Sequence, residues 1–173
     1  MDFSKIKAFA FDIDGVATNG TLLCMPDGDF LRLYDAKDGF AIRMACMNGY
    51  PVAVITGGSS ESIRKRMMAS GIPSEDIYLH CRDKRVEFDL FCLRHNLHQE
   101  EVLFIGDDVP DICVLQACGC GVCPSDAVDE AKAAADWVSP YPGGKGCIRN
   151  TLETVMKEQG KWNFDPVVYK QKF

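Results

Sequence analysis

Asp12 and Asp14 stand one residue apart at the end of the apolar run "IKAFAFDIDGVATNG" (6–20), and "GDDVPD" places Asp107, Asp108 and Asp111 after a second such run. Carboxylates that converge at neighbouring strand ends repel one another. Leaving them charged without a partner is costly, so a cation is expected with Asp12, Asp14 and Asp107. An all-oxygen donor set favours Mg2+ over zinc, and Mg2+ keeps waters and pairs with phosphate. "TGGSS" (56–60) supplies the complementary chemistry. It leads from an apolar run into a helix, so free backbone N–H groups at Gly57 and beyond face outward beside the Thr56 hydroxyl. Lys84, at the start of the next helical run, adds a positive charge. Together these groups predict phosphoryl transfer to an aspartate, giving an aspartyl phosphate. The second aspartate would protonate the leaving oxygen and then activate water.

Each signal has a plainer reading when taken singly. An Asp pair at a strand end is often a turn or a helix cap, Ser59 and Ser60 suit a helix start, and a lone lysine is usually solvated. The weight comes from the four clusters occurring together and in order.

These groups need a scaffold. Residues 6–11 and 51–55 read as apolar strands, 76–80 as a short strand, and 101–108 as a strand ending in acid. Helices are predicted over 37–49, 61–70, 83–96, 109–117 and 126–135, with a last one after "GGKG". Pro26-Asp27-Gly28-Asp29 between two apolar runs signals a β-hairpin within 20–34, and 162–173 reads as an irregular tail. Strands alternating with helices imply an α/β, doubly wound, mostly parallel sheet. Ligands of such sheets bind beyond the carboxyl ends of the strands, where the clusters fall. The gaps leave no room for a cap domain, so residues 1–173 are expected to form a single domain.

The net charge of −6 argues against nucleic acid as a partner, and no apolar run is long enough to span a bilayer. The start "MDFSKIKAF" lacks the apolar stretch of a signal peptide, so a cytoplasmic location is expected. Most of the nine cysteines sit in apolar stretches and read as small buried hydrophobes. "CGCGVC" (118–123) lacks two converging C-x-x-C pairs, and alternate residues of one strand point to opposite faces, which weighs against zinc.

The order D-x-D-G, T-G, K, G-D-D-x-x-D resembles the haloacid dehalogenase (HAD) superfamily of phosphohydrolases, over essentially the whole chain. The resemblance implies that Asp12 is the nucleophile and Asp14 the acid/base. It implies that Asp12, Asp14 (through its carbonyl) and Asp107 hold Mg2+, that Thr56, Gly57 and Lys84 bind the phosphoryl group, and that Asp108 and Asp111 support them. "DIDGVATNG", the hairpin, "YDAKDGFAI", "ITGGSSESIRKR" and "GGKGCIR" are similar to the capless 3-deoxy-D-manno-octulosonate 8-phosphate phosphatase family. That likeness implies hydrolysis of an eight-carbon keto-sugar phosphate, with nine-carbon keto acid 9-phosphates as the alternative. It also implies a homotetramer in which hairpin and C-terminal segment help cover a neighbour's site. Lys37, Asp38 and Gly39 would then lie at the site mouth, with Lys145 and Arg149 near substrate. Two departures stand out: Gly58 replaces an arginine common after T-G, and Lys145 replaces the arginine of G-G-R-G, losing a bidentate fork. The hairpin's Leu22, Leu23, Met25, Phe30 and Leu31 would cover either the subunit's own core or a neighbour.

Three rivals are weaker. A phospho-acceptor signalling domain needs an Asp at a strand end between residues 14 and 56, and none is present. A non-catalytic binding scaffold would usually lack one of the two leading aspartates. A phosphomutase on this fold needs a closed site, normally built with a cap.

Overall fold

The structure is a computed structural model and describes residues 2–173. Six parallel strands form one sheet in the order β5-β4-β1-β6-β7-β8. They are β1 (Ala8–Phe11), β4 (Val52–Ile55), β5 (Ile77–Tyr78), β6 (Val102–Ile105), β7 (Cys120–Cys123) and β8 (Trp137–Val138). The four residues of each of β1, β4, β6 and β7 are buried, as a sheet covered on both faces requires.

The alternation of β1, A-F-A-F, assigns its two faces. Phe9 and Phe11 pack with Val52, Val54, Leu103 and Ile105 under α1 (Ala36–Met47), α2 (Glu61–Met68) and α6 (Cys147–Glu158). Ala8 and Ala10 pack with Ala53, Ile55, Val102 and Phe104 under α3 (Lys84–Arg94), α4 (Ile112–Leu115) and α5 (Asp129–Ala134). There Phe88 and Phe91 of α3 fill the room left by the alanines. Each fully buried phenylalanine contributes about 1.5–3 kcal/mol, so the sheet holds its strand ends firmly.

Between β1 and α1 the chain makes a small antiparallel hairpin, β2 (Leu23–Cys24) with β3 (Phe30–Leu31). Met25 N–H donates to Asp29 O across its turn. Its apolar residues do not cover the subunit's own core: Leu23 is 62% exposed, Leu31 55% and Leu33 80%.

Two sequence expectations are corrected. The tail is not wholly irregular, because Pro166–Lys172 forms helix α7. Asp165 caps it by accepting from Val167 N and Val168 N, and Pro166 occupies the first turn, a start signal within "FDPVV". Tyr169 and Phe164 pack on Phe40 of α1, and the Arg43 guanidinium lies 5.0 Å from the Phe173 ring centroid. The helix expected at 126–135 starts three residues later, because Ala127 closes a turn onto Pro124 and Val128 is extended.

Candidate active site

Three strand ends meet at the carboxyl edge of the sheet. Asp12 follows β1, and its N–H donates to Ile105 O at 3.0 Å, which ties it to β6. Thr56 follows β4 with its N–H on Tyr78 O at 3.1 Å. Asp107 lies two residues past β6. Asp12, Asp14, Thr56, Gly57, Gly58, Lys84, Asp107, Asp108 and Asp111 all line one cavity of about 330 Å³. The sequence clusters therefore converge, and Arg82, Cys81 and Pro110 join them.

Lys84 is the electrostatic hub. Its Nζ donates to Asp12 Oδ2 and to Asp111 Oδ1, each at 2.6 Å. All three residues are buried: Lys84 is 5% exposed, Asp12 8% and Asp111 0%. Asp83 caps α3 by accepting from Arg85 N, which starts the helix at Lys84 and aims its first side chain into the site. Burial works to lower the Lys84 pKa, but Asp12 and Asp111 outweigh it and raise it, so the ammonium stays charged. The remaining oxygens are committed too. Asp12 Oδ1 accepts from Ile13 N at 2.6 Å, and Asp111 Oδ2 accepts from Asp107 N at 3.0 Å and Asp108 N at 3.2 Å. Asp108 is exposed and caps the turn Val109–Asp111 through Val109 N.

Asp107 differs from these. Its Oδ1 is buried with no hydrogen-bond partner, and one oxygen from each of Asp12, Asp107 and Asp111 falls within 4.8 Å of the others. Burial, then the charges of Asp12 and Asp111, push the Asp107 carboxyl up to about 8. Burial likewise raises Asp12 to about 6, with Lys84 pulling the other way. An orphaned oxygen among crowded carboxylates fits a divalent cation, which would reverse both shifts. Gly15 makes the approach possible. It sits at φ +89°, and a Cβ there would lie 1.9 Å from Asp107 Oδ2.

Asp14 stands apart from the acidic cluster. Past Asp12 the chain leaves the strand in a helical turn over Ile13–Ala17, in which Asp14 is extended and Gly15 left-handed, and Asp14 is not among the carboxylates that cluster with Asp12. Asp14 instead meets Arg32, whose Nε donates to Oδ1 at 2.7 Å and Nη2 to Oδ2 at 2.9 Å. Sequence reasoning missed Arg32, because nothing in its neighbourhood marks which residue 18 positions away it will meet. It also missed Arg82, which is exposed on the cavity wall.

The residues assigned to the substrate by resemblance lie elsewhere in the subunit. Lys37, Lys145 and Arg149 line a second cavity of about 460 Å³ that shares no lining residue with the first. Asp38 is buried and accepts from Gly146 N and Arg149 N, capping the start of α6. Burial raises its carboxyl to about 6, against the pull of those two N–H groups. Gly39 is buried on α1, where a Cβ would press on Arg66 Nη2 at 2.5 Å. The "GGKG" loop packs on the turn after β1, with Gly144 N–H donating to Val16 O at 2.8 Å.

The chain is similar in sequence and fold to known proteins. A family model described as haloacid dehalogenase-like hydrolase matches residues 57–147. The 3-deoxy-D-manno-octulosonate 8-phosphate phosphatase of Haemophilus influenzae is 32% identical, over 91% of this chain and 86% of its own. Among solved structures, a HAD superfamily (subfamily III A) hydrolase from Legionella pneumophila superposes with a TM-score of 0.91 at 30% identity, covering 98% of this chain and 92% of that one. The 3-deoxy-D-manno-octulosonate 8-phosphate phosphatase of Moraxella catarrhalis, solved with a magnesium ion, a phosphate ion and a KDO molecule, gives 0.87 at 26% identity, covering 92% and 91%. With a parallel sheet whose carboxyl edge gathers Asp12, Thr56, Lys84 and Asp107, this chain belongs to the haloacid dehalogenase-like hydrolases.

Proposed function

We propose that this protein is a metal-dependent phosphatase acting on the phosphate monoester of an acidic keto-sugar, with 3-deoxy-D-manno-octulosonate 8-phosphate as the preferred substrate. The observation that carries the chemistry is the buried Asp12–Lys84–Asp111 array beside the orphaned Asp107 oxygen. The sugar is supported by the substrate named for the Haemophilus and Moraxella relatives.

Asp12, Asp107 and the Asp14 carbonyl would hold Mg2+, and Asp111, one of whose oxygens falls within 4.8 Å of oxygens of Asp12 and Asp107, would support it. When bound, the ion supplies charge stabilisation to the phosphoryl oxygens and to the nucleophile. Thr56, the Gly57 N–H and Lys84 hold the phosphoryl group in line with Asp12. An Asp12 carboxylate oxygen bonds to phosphorus as the ester P–O bond breaks. The electron pair leaves on the sugar oxygen, which takes a proton from Asp14. Water then attacks phosphorus while Asp14 takes its proton. The bond to Asp12 breaks with its electrons on the Asp12 oxygen, releasing phosphate and restoring Asp12 as carboxylate and Asp14 as the protonated acid.

The protein works as a homotetramer in the cytoplasm in this reading. The exposed Leu23, Leu31 and Leu33 need cover, and the Lys37, Lys145 and Arg149 cavity, which shares no lining residue with the Asp12 pocket, is open to complete a neighbour's site.

Phosphate release with Mg2+ across eight- and nine-carbon keto acid phosphates and hexose phosphates tests the substrate. The eight-carbon ester should lead. A nine-carbon preference moves the assignment to the 9-phosphates, and a hexose phosphate preference ends the keto-acid reading. Asp12→Asn should remove turnover, because an amide is a poor nucleophile; near-wild-type turnover in that variant refutes the mechanism.

A further inference from the structure

We infer that Arg32 of the hairpin is a positioning residue for the acid/base Asp14, and that Gly58 is small so that Arg32 can reach it. The inference rests on the assignment of Asp14 as acid/base in the proposed phosphatase.

The turn at Asp14 and Gly15 frees the Asp14 side chain from the direction of β1, so its aim must come from a partner. The side chain of Asp14 is 28% exposed, which leaves it room to rotate. Its hydrogen-bond partner is Arg32, and the contact is bidentate, at 2.7 and 2.9 Å. A planar fork on both oxygens sets the plane of the carboxylate as well as its direction, which a single bond does not. Arg32 is itself held. Its side chain is 3% exposed, and its Nη1 donates to Phe30 O at 3.4 Å. The hairpin that carries it is tied to the start of α2, where Ser60 Oγ donates to Asp29 Oδ2 at 2.9 Å.

Gly58 supplies the second, independent observation. A Cβ at 58 would lie 3.3 Å from Arg32 Nη2, 2.8 Å from Ile63 Cδ1 and 3.4 Å from Thr56 Oγ1. A long side chain there would compete for the space of the guanidinium. Glycine at 58 and arginine at 32 are therefore complementary: the hairpin delivers a guanidinium to a spot that the T-G loop leaves open. The contact joins residues far apart in the chain, and the hairpin is its carrier. An element that buries little apolar surface in its own subunit thus has a task inside the site.

An aimed Asp14 matters most when the leaving oxygen is a poor leaving group that needs a proton. It matters little for an activated aryl ester, whose oxygen departs unaided. The test compares kcat/KM, which reports the steps through phosphoryl transfer to Asp12, on 4-nitrophenyl phosphate and on a simple alkyl phosphate with Mg2+. Arg32→Gln should lower the alkyl value at least about tenfold, within the range that acid–base catalysis supplies. The aryl value should change less than about twofold. Arg32→Lys keeps the charge without the fork and should fall between. Gly58→Ala should give a weaker form of the same selective loss. Thermal melting of each variant checks folding, and added to Asp14→Asn, Arg32→Gln should cost nothing further on the aryl ester. An equal loss on both esters, or no loss on either, overturns the inference. Asp14→Asn separates the readings. If it shows no selective alkyl loss, the acid assignment fails; if it does and Arg32→Gln does not, only the role of Arg32 fails.

Discussion

The Asp12 pocket and the hairpin are held by opposite means. In the pocket, Asp12, Lys84 and Asp111 are buried and committed to one another or to backbone N–H groups, beside a buried Asp107 oxygen that has no hydrogen-bond partner. In the hairpin, two-residue strands carry exposed leucines, and attachment to the body runs through two polar contacts, Arg32 to Asp14 and Asp29 to Ser60. The pocket draws precision from a sheet stabilised on both faces. The hairpin draws its placement from the pocket. An isolated two-stranded hairpin is marginal in water, so a structure that keeps one exposed is using it for something other than its own core.

Removing the hub should break the contrast hardest. Lys84→Met would leave Asp12 and Asp111 buried without a counter-charge. Breaking such an array costs about 3–5 kcal/mol, and turnover should fall by orders of magnitude together with the melting temperature. Denaturant unfolding and phosphate release measure the two. A variant that loses turnover but keeps full stability would show that the array is not stressed in the way its burial implies.

Metal and pH should act next, again through the pocket. Asp107 and Asp12 have folded-state pKa values raised to about 8 and about 6 from 3.8. The folded protein then binds protons more tightly than the unfolded chain between those values. Without divalent cation its stability should therefore fall as pH rises from about 4 to about 8. Each kcal/mol appears as about 2–4 °C in melting temperature for a domain of this size. Mg2+ should flatten or reverse the slope, because it favours the charged carboxylates. Melting curves with chelator and with Mg2+ decide this, and a chelated protein that grows more stable towards pH 8 contradicts the crowding at Asp107.

The hairpin should show the smallest effect on the fold. Leu23→Asp with Leu31→Asp changes exposed positions, so subunit stability should move by no more than about 0.5 kcal/mol. On the proposed tetramer, the same pair should lower the mass in solution to that of smaller species, read by sedimentation. An unchanged mass would leave these leucines as surface without a partner.

Much of the pocket was legible in the sequence. Asp12, Thr56 and Asp107 each follow an apolar run of four or more residues, and a parallel sheet brings such ends to one edge. Lys84 was legible as the first residue of a helix, and Asp111 as a supporting carboxylate near it, and the structure pairs the two at 2.6 Å. The α7 helix was missed although its Asp-Pro start is a local signal, since the run after it is too short and mixed for periodicity to speak. Asp38, expected by resemblance at a site mouth, accepts from the start of α6 within its own subunit, 108 and 111 positions along the chain, a pairing that no local signal marks.

The sequence alone determined the alternation of strands and helices up to α6, the two-faced burial of the sheet and the positions where polar groups end strands. All of these follow from local pattern: the alternation of A-F-A-F, the caps and the glycine stops. Tertiary structure decided the partnerships. Asp14 meets Arg32, an Asp107 oxygen stays without a partner beside Asp12 and Asp111, and Gly58 becomes the space that a guanidinium from the hairpin enters. Such pairings depend on where a chain folds back across tens of residues, and no spacing within a motif encodes that distance.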